Sequence, residues 1–314
     1  MMTSGYSRRG FIGGLCAVGA MMGSATAAGK KRMDKRLTAF LADTHIAGHP
    51  ERFPTQHQQG FLEEVVRQIL AEPILPQRFV VFGDVARRHG GVDDYRRFLT
   101  VVKPLLDAGL EMTVTTGNHD NRAPMFEVFS RQRELTPVPG RLVSVTDLGG
   151  VDLILLDTLD DRPQADGTNR VVAALDKAQE EWMRSNLSSW PRPFMLGAHH
   201  TLAELRFTDG SRVSSFVAAC ALCKGYINGH RHVWGKDFAF VDYTKTRVLR
   251  TLTLSSTHLM DIGWAMCKVD TDRIVVENRA VDFIFPGVQP PEKRDPMWDV
   301  RKQETNRDKC VFVM

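Results

Sequence analysis

From residue 37 onward, short apolar runs alternate with longer segments in which apolar residues recur every three or four positions. The runs 37–42, 79–82, 112–116, 151–156, 194–196 and 226–227 have strand length, and their lack of polar alternation predicts strands covered on both faces. Between them, Phe61-Leu62, Val65-Val66 and Ile69-Leu70 form one helical stripe; Tyr95, Phe98-Leu99 and Val102 form a second; Leu175, Ala178, Trp182-Met183 and Leu187 form a third. Strands alternating with helices predict a layered α/β fold around a largely buried sheet. After Trp234 the pattern shortens to β-rich segments at 248–254, 264–269 and 273–276, read as antiparallel strands completing a second sheet. No internal repeat is visible.

The chain has 314 residues, 43% hydrophobic and 25% charged, the composition of an ordinary globular protein rather than a disordered, collagenous or coiled-coil one. At this length a core forms without disulfides or a structural metal, so any metal would serve chemistry. A net charge of +4, from 41 basic and 37 acidic side chains, carries no nucleic-acid footprint.

Ser7-Arg8-Arg9-Gly10-Phe11-Ile12, then a small-residue apolar stretch over 13–22 and Ser24-Ala25-Thr26-Ala27, has the pattern of an export signal. The paired arginines resemble a bacterial twin-arginine signal, which implies passage of a folded precursor through the twin-arginine export machinery to the periplasm or beyond. The apolar stretch is too short for a stable membrane anchor, which needs about 20 residues. Domain organisation is therefore expected as a signal peptide over 1–27, one catalytic domain over 37–285, and a charged, solvated tail over 286–314. Cys220-Ala-Leu-Cys223 has redox or zinc-ligand spacing, but it lacks a second pair and adjoins an apolar stretch; packing or a local disulfide is the expected role.

Chemistry-bearing residues follow the predicted strands. Asp43-Thr44-His45 follows the first, Gly83-Asp84 the second and Gly117-Asn118-His119-Asp120 the third; His199-His200 and Gly229-His230-Arg231-His232 follow later ones. Six of the ten histidines lie in these five loops, at the carboxyl ends of strands where open α/β sheets place ligands. Carboxylates, an amide oxygen and imidazoles make a mixed oxygen and nitrogen set suited to Mn, Fe or Zn. Some seven donors exceed one ion's needs, and a carboxylate shared by two ions suits in-line phosphoryl displacement. Glycines before Asp84, Asn118 and His230 are expected to let the backbone turn sharply.

Asp-x-His, Gly-Asp, Gly-Asn-His-Asp, paired His and Gly-His-x-His, in that order over 37–232, resemble the calcineurin-like metallophosphoesterases. The segments around 117–122 and 155–158, the helix bearing Trp182 and the paired histidines look most like the class III cyclic-nucleotide phosphodiesterase and glycerophosphodiesterase branch. The resemblance implies a four-layer α/β/β/α sandwich with two central mixed β-sheets. It also implies a hydrolase for phosphate-ester small molecules that uses two divalent metal ions. Asp43, His45 and His232 would hold the first ion and Asn118, His199 and His230 the second, with Asp84 bridging. Hydroxide activated by the ions would attack phosphorus in a diester, and His119 would donate a proton or hydrogen bond to the leaving oxygen. Arg122 and Arg231 are candidates for phosphate contacts. The alternatives are a phosphomonoesterase of the same fold and a non-catalytic metal-binding scaffold.

Two positions depart from the family pattern. Arg87 stands where many relatives carry an Asp or Asn that supports the catalytic histidine, and Thr201-Leu202 replaces the proline usual after the paired histidines; His199 is favoured over His200 as the ligand. Singly, each residue has a plainer role: Asp43 or Asn118 could cap a helix and Gly229 could make a turn. Jointly, buried carboxylates and imidazoles without a cation would carry a large desolvation penalty. His49, His57, His89 and His258 lack this context and are expected on loops or the surface. Asp157 is expected to serve packing or a substrate loop.

Overall fold

Both faces of the central strands are buried because each face meets a different layer. The computed structural model describes residues 31–52, 57–162, 171–240, 248–258, 260–281 and 305–314, with the side chains of 238–240 excepted. The expected signal peptide and most of the expected tail lie outside these residues. The strands are β1 (Met33–Leu41), β2 (Leu75–Val81), β3 (Glu111–Val114), β4 (Ser144–Asp147), β5 (Asp152–Leu155), β6 (Phe194–Ala198), β7 (Cys223–Asn228), β8 (Gly235–Phe240), β9 (Val248–Thr253), β10 (Gly263–Val269), β11 (Arg273–Ala280) and β12 (Lys309–Val313). The helices are α1 (Gln58–Ala71), α2 (Val92–Asp107), α3 (Arg122–Val128), α4 (Ser130–Leu135), α5 (Lys177–Asn186) and α6 (Val213–Ala219). Among the described residues no helix is long and apolar enough to cross a membrane.

Two mixed six-stranded sheets result, in the orders β12-β11-β10-β1-β2-β3 and β4-β5-β6-β7-β9-β8. In the first, β1, β2 and β3 run parallel; in the second, β5, β6, β7 and β9 do. Side-chain alternation assigns each layer. Ala39, Leu41, Phe79 and Val81 face outward onto Leu62, Val65 and Ile69 of α1 and Phe98 and Val102 of α2. Their neighbours Phe40, Ala42, Val80 and Phe82 face inward and meet Leu153, Leu155, Met195 and Ile227 of the second sheet. The outer face of that sheet packs Ile154, Phe194 and Leu196 on Met183 of α5 and on Val213 and Val217 of α6. Each fully buried Val, Leu, Ile, Phe or Met among them stabilises the fold by about 1.5–3 kcal/mol. The architecture is a four-layer α/β/β/α sandwich.

Three expectations change. β10 and β11 do not complete the second sheet; they extend the first, β10 antiparallel to β1 and β11 antiparallel to β10, while β9 joins the second sheet parallel to β7. The expected tail over 286–314 ends in β12, paired antiparallel with β11, so the domain reaches past residue 285. Cys310 and Phe312 explain this, since their side chains enter the inter-sheet core, with Phe312 against Gly225, where a Cβ would overlap its ring. Cys220 and Cys223 are buried beneath α6, their Sγ atoms donating to the carbonyls of Phe216 and Gly225, which fits packing.

Candidate metal centre

The loops after β1, β2, β3, β6 and β7 meet at the carboxyl edge of both sheets. Asp43, His45, Asp84, His230 and His232 all adopt positive φ, between 45° and 69°, and make up five of the seven such non-glycine residues among those described. A left-handed conformation costs non-glycine residues on the order of 1 kcal/mol each, so the surrounding contacts must enforce it. They do: Asp43 N donates to Gly83 O, His45 N to Asp84 O, and His230 N to the Asp43 carboxylate at 3.1 Å. Gly83 itself has φ +79°. Gly117 and Gly229 keep ordinary φ, contrary to the expected sharp turns, and are required for close approach instead. A Cβ on Gly117 would overlap Asp84 Oδ1, and one on Gly229 would lie 2.8 Å from Asp43 Oδ2.

One ligand atom each from Asp43, His45, Asp84 and His232 lie within 4.8 Å of one another. His45 Nδ1 donates to the Arg87 carbonyl at 3.2 Å, which leaves Nε2 as a bare lone pair. Nε2 is buried, has no hydrogen-bond partner, and lies 3.4 Å from Asp84 Oδ2. Two acceptors facing each other in a dry site repel unless a cation stands between them. Burial, the largest influence on His45, lowers its pKa and so disfavours a proton in that place. His232 Nε2 lies 3.2 Å from Asp43 Oδ1. This donor set fits a divalent cation.

A second convergence centres on His199 Nε2, which lies 3.1 Å from Asn118 Oδ1, 3.2 Å from His230 Nδ1 and 3.3 Å from Asp84 Oδ2. His199 Nδ1 donates to the Phe82 carbonyl at 2.9 Å. Burial opposes the charged imidazole, but the Asp84 carboxylate beside it wins and pushes His199 up to about 10. Burial likewise opposes the Asp84 anion, and the surrounding histidines hold it well below the usual carboxylate range. With no cation, a His199 proton therefore balances buried Asp84; binding a cation there requires releasing that proton. Asp84 Oδ2 thus lies 3.4 Å from His45 Nε2 in one donor group and 3.3 Å from His199 Nε2 in the other.

His200 stands apart from the donors. Its Nδ1 accepts from Thr158 Oγ1 at 2.8 Å and its Nε2–H donates to the Val171 carbonyl at 2.9 Å, so both nitrogens are engaged and His199 is the one facing Asp84. Burial, with the His199 charge second, pushes His200 down to about 3. His119 is half-buried; its backbone N–H donates to Asp84 Oδ1 at 2.8 Å, and its ring lies 4.9 Å from that of His45. Asp120 braces both loops, its carboxylate accepting from the N–H groups of Val85, Ala86 and Gly117 and from Tyr95 Oη.

Arg122 is a correction. It does not face the donors: Nε and Nη2 hold the Asp157 carboxylate at 2.7 and 3.0 Å, Nη1 pairs with Asp161, and Nη2 also donates to the Leu159 carbonyl. The guanidinium fork suits carboxylate as well as phosphate, and here buried carboxylate takes it. Arg231 is exposed on the loop between the two histidine donors. The residue missed in the sequence is His258. Its Nδ1 donates to the Asp43 carbonyl at 2.8 Å, and its ring lies 4.5 Å from that of His45 and 5.5 Å from that of His232. It follows β9, a parallel strand ending at the same edge as the ligand loops.

Compared with known proteins, the chain matches no family model and no curated sequence. Among solved structures it is similar to TT1561 of Thermus thermophilus, at 12% identity and TM-score 0.44 over 74% of this chain and 94% of that one. The calcineurin-like phosphoesterase YfkN of Bacillus subtilis follows a similar path at 10% identity and TM-score 0.40, covering 78% of this chain and 85% of its own. A Streptococcus pneumoniae protein described as a predicted phosphoesterase does so at 12% identity and TM-score 0.36, covering 89% and 98%. At these values the chemistry has to be argued from the site itself.

Proposed function

We propose that the protein is a dinuclear metal-dependent phosphoesterase acting on phosphodiesters. The observation that carries the reading is Asp84, a buried carboxylate reached by His45 and His199 from two separate donor groups. Asp43, His45 and His232 would hold one ion, and Asn118, His199 and His230 the other. Mn, Fe and Zn suit these nitrogen and oxygen donors. Bound there, two ions would acidify water and neutralise charge on the phosphoryl oxygens.

The protein's own groups do the rest. The Phe82 and Arg87 carbonyls fix the tautomers of His199 and His45 through Nδ1–H, so each Nε2 is presented to Asp84. The burial of Asp43 and Asp84 excludes water and strengthens every charge interaction at the site. His119, half-buried beside the His45 ring, would pass a proton from an imidazole N–H to the departing alkoxide, a role worth roughly 10²–10⁴-fold in rate. The Arg8-Arg9 segment supports export of the folded, loaded protein by the twin-arginine route, outside the cytoplasm.

The test is release of nitrophenol from bis-nitrophenyl phosphate with Mn. Asp84→Asn and His119→Ala should each cost about 10² or more in kcat. Full activity in both variants rejects the assignment, and preference for nitrophenyl monophosphate would move it to a phosphomonoesterase.

A further inference from the structure

The two donor groups are unequal in charge. Asp43 gives the first a carboxylate of its own beside its share of Asp84, whereas the second has Asn118, His199 and His230, all neutral when they bind metal. Its share of Asp84 is the one negative charge in its inner set. A carboxylate stands behind it, however: Glu204 Oε1 lies 3.9 Å from His230 Nε2, the ring nitrogen opposite the one that faces His199.

The turn that presents Glu204 is built where the chain departs from the family pattern after the paired histidines. Thr201 N and Oγ1 both donate to Glu204 Oε2, at 2.9 and 2.6 Å, and Glu204 N donates back to Thr201 O at 3.0 Å. One carboxylate oxygen is thereby occupied and the other is left toward His230. Leu202 and Leu205 anchor the turn, both buried in the core beneath the second sheet. A proline at 201 would supply neither the N–H nor the hydroxyl that holds Glu204.

We infer that Glu204 is a positioning residue: standing 3.9 Å from His230 Nε2, it would close onto Nε2–H when metal binds, hold Nδ1 as the metal-facing lone pair, and add a second negative charge beside the second donor set's share of Asp84. A carboxylate behind a ligating imidazole fixes the tautomer and raises its basicity, and losing such a partner weakens metal binding roughly 10–100-fold. The inference rests on the dinuclear reading above.

The experiment is titration of the metal-free protein with Mn²⁺ alone, followed by calorimetry and by the EPR signal of a spin-coupled Mn²⁺ pair. Wild type should take two ions. Glu204→Ala should bind the first ion with unchanged affinity and the second roughly 10–100-fold more weakly, with the pair signal lost at ion concentrations that saturate wild type. Glu204→Gln, which keeps an acceptor without the charge, should fall between, and metal-free melting temperatures should match. Two results overturn the inference alone: wild-type affinity for both ions in Glu204→Ala, or equal weakening of both together with a lower metal-free melting temperature. A wild-type protein that binds only one ion overturns the inference and the dinuclear reading together.

Discussion

Replacing Asp157 by Asn tests whether the Arg122 site is structural. Asp157 is fully buried after β5, where it accepts from Arg122 Nε and Nη2, from Thr116 Oγ1 at 2.6 Å and from the backbone N–H groups of Leu142 and Leu159. The amide keeps the shape but removes the charge, and it turns an NH₂ group toward donors that need an acceptor. Arg122, only 8% exposed in its side chain, keeps Asp161 and the Leu159 carbonyl but loses its buried counter-ion. Removing one partner of a buried pair costs about 3–5 kcal/mol. For a domain of this size that corresponds to a fall in melting temperature of about 5–10 °C. Calorimetry and urea titration of the metal-free protein read it directly. Asp161→Asn, whose side chain is mostly exposed, should cost under about 1 kcal/mol. In Arg122→Met combined with Asp157→Leu, the loss should be smaller than in Asp157→Asn alone, because no charge is left stranded. A melting temperature within about 2 °C of wild type for Asp157→Asn, together with a roughly tenfold rise in KM for Arg122→Met, would refute this and restore Arg122 as a phosphate contact.

Other outcomes rest on the same contacts. Burial would raise the Asp157 carboxyl, but Arg122 outweighs it and holds the pKa below the ordinary value. The stability gap to Asp157→Asn should therefore be complete above about pH 4 and close as pH falls through the lowered folded-state pKa, as read by urea midpoints at several pH values. Chelation should lower the melting temperature and Mn²⁺ restore it, by about 2.7 kcal/mol at a hundredfold excess over Kd. Gly117→Ala should cost about 1–3 kcal/mol and abolish retention of metal through gel filtration, because its methyl group displaces Asp84.

The convergence of the seven expected residues was readable because each stands just past an apolar run, and parallel strands deliver the residues at their carboxyl ends to one edge of the sheet. The pairing of strands was not. Residues 264–269 and 273–276 announce strands, but only the inward faces of Ala265, Cys267, Ile274 and Val276 against both sheets decide which sheet they join. Reading 248–254 as part of an antiparallel set also hid His258, since only the parallel pairing of β9 with β7 brings Ser256-Thr257-His258 to the ligand edge. Arg122 could not be assigned from its type, because the same planar group serves a substrate phosphate or a buried carboxylate. Its partner lies 35 residues away, in the loop after β5.

Because Asp43, Asp84 and Asn118 hang from one sheet while His199, His230 and His232 hang from the other, the centre is a clasp across the inter-sheet seam. One residue of slip along a strand is about 3.3 Å, as long as the whole separation of His199 Nε2 from Asp84 Oδ2. The seam can therefore tolerate no sliding while the clasp is shut. Cargo held there would report, as a gauge reports, the mechanical alignment of two halves whose described strands form ladders only within their own sheet.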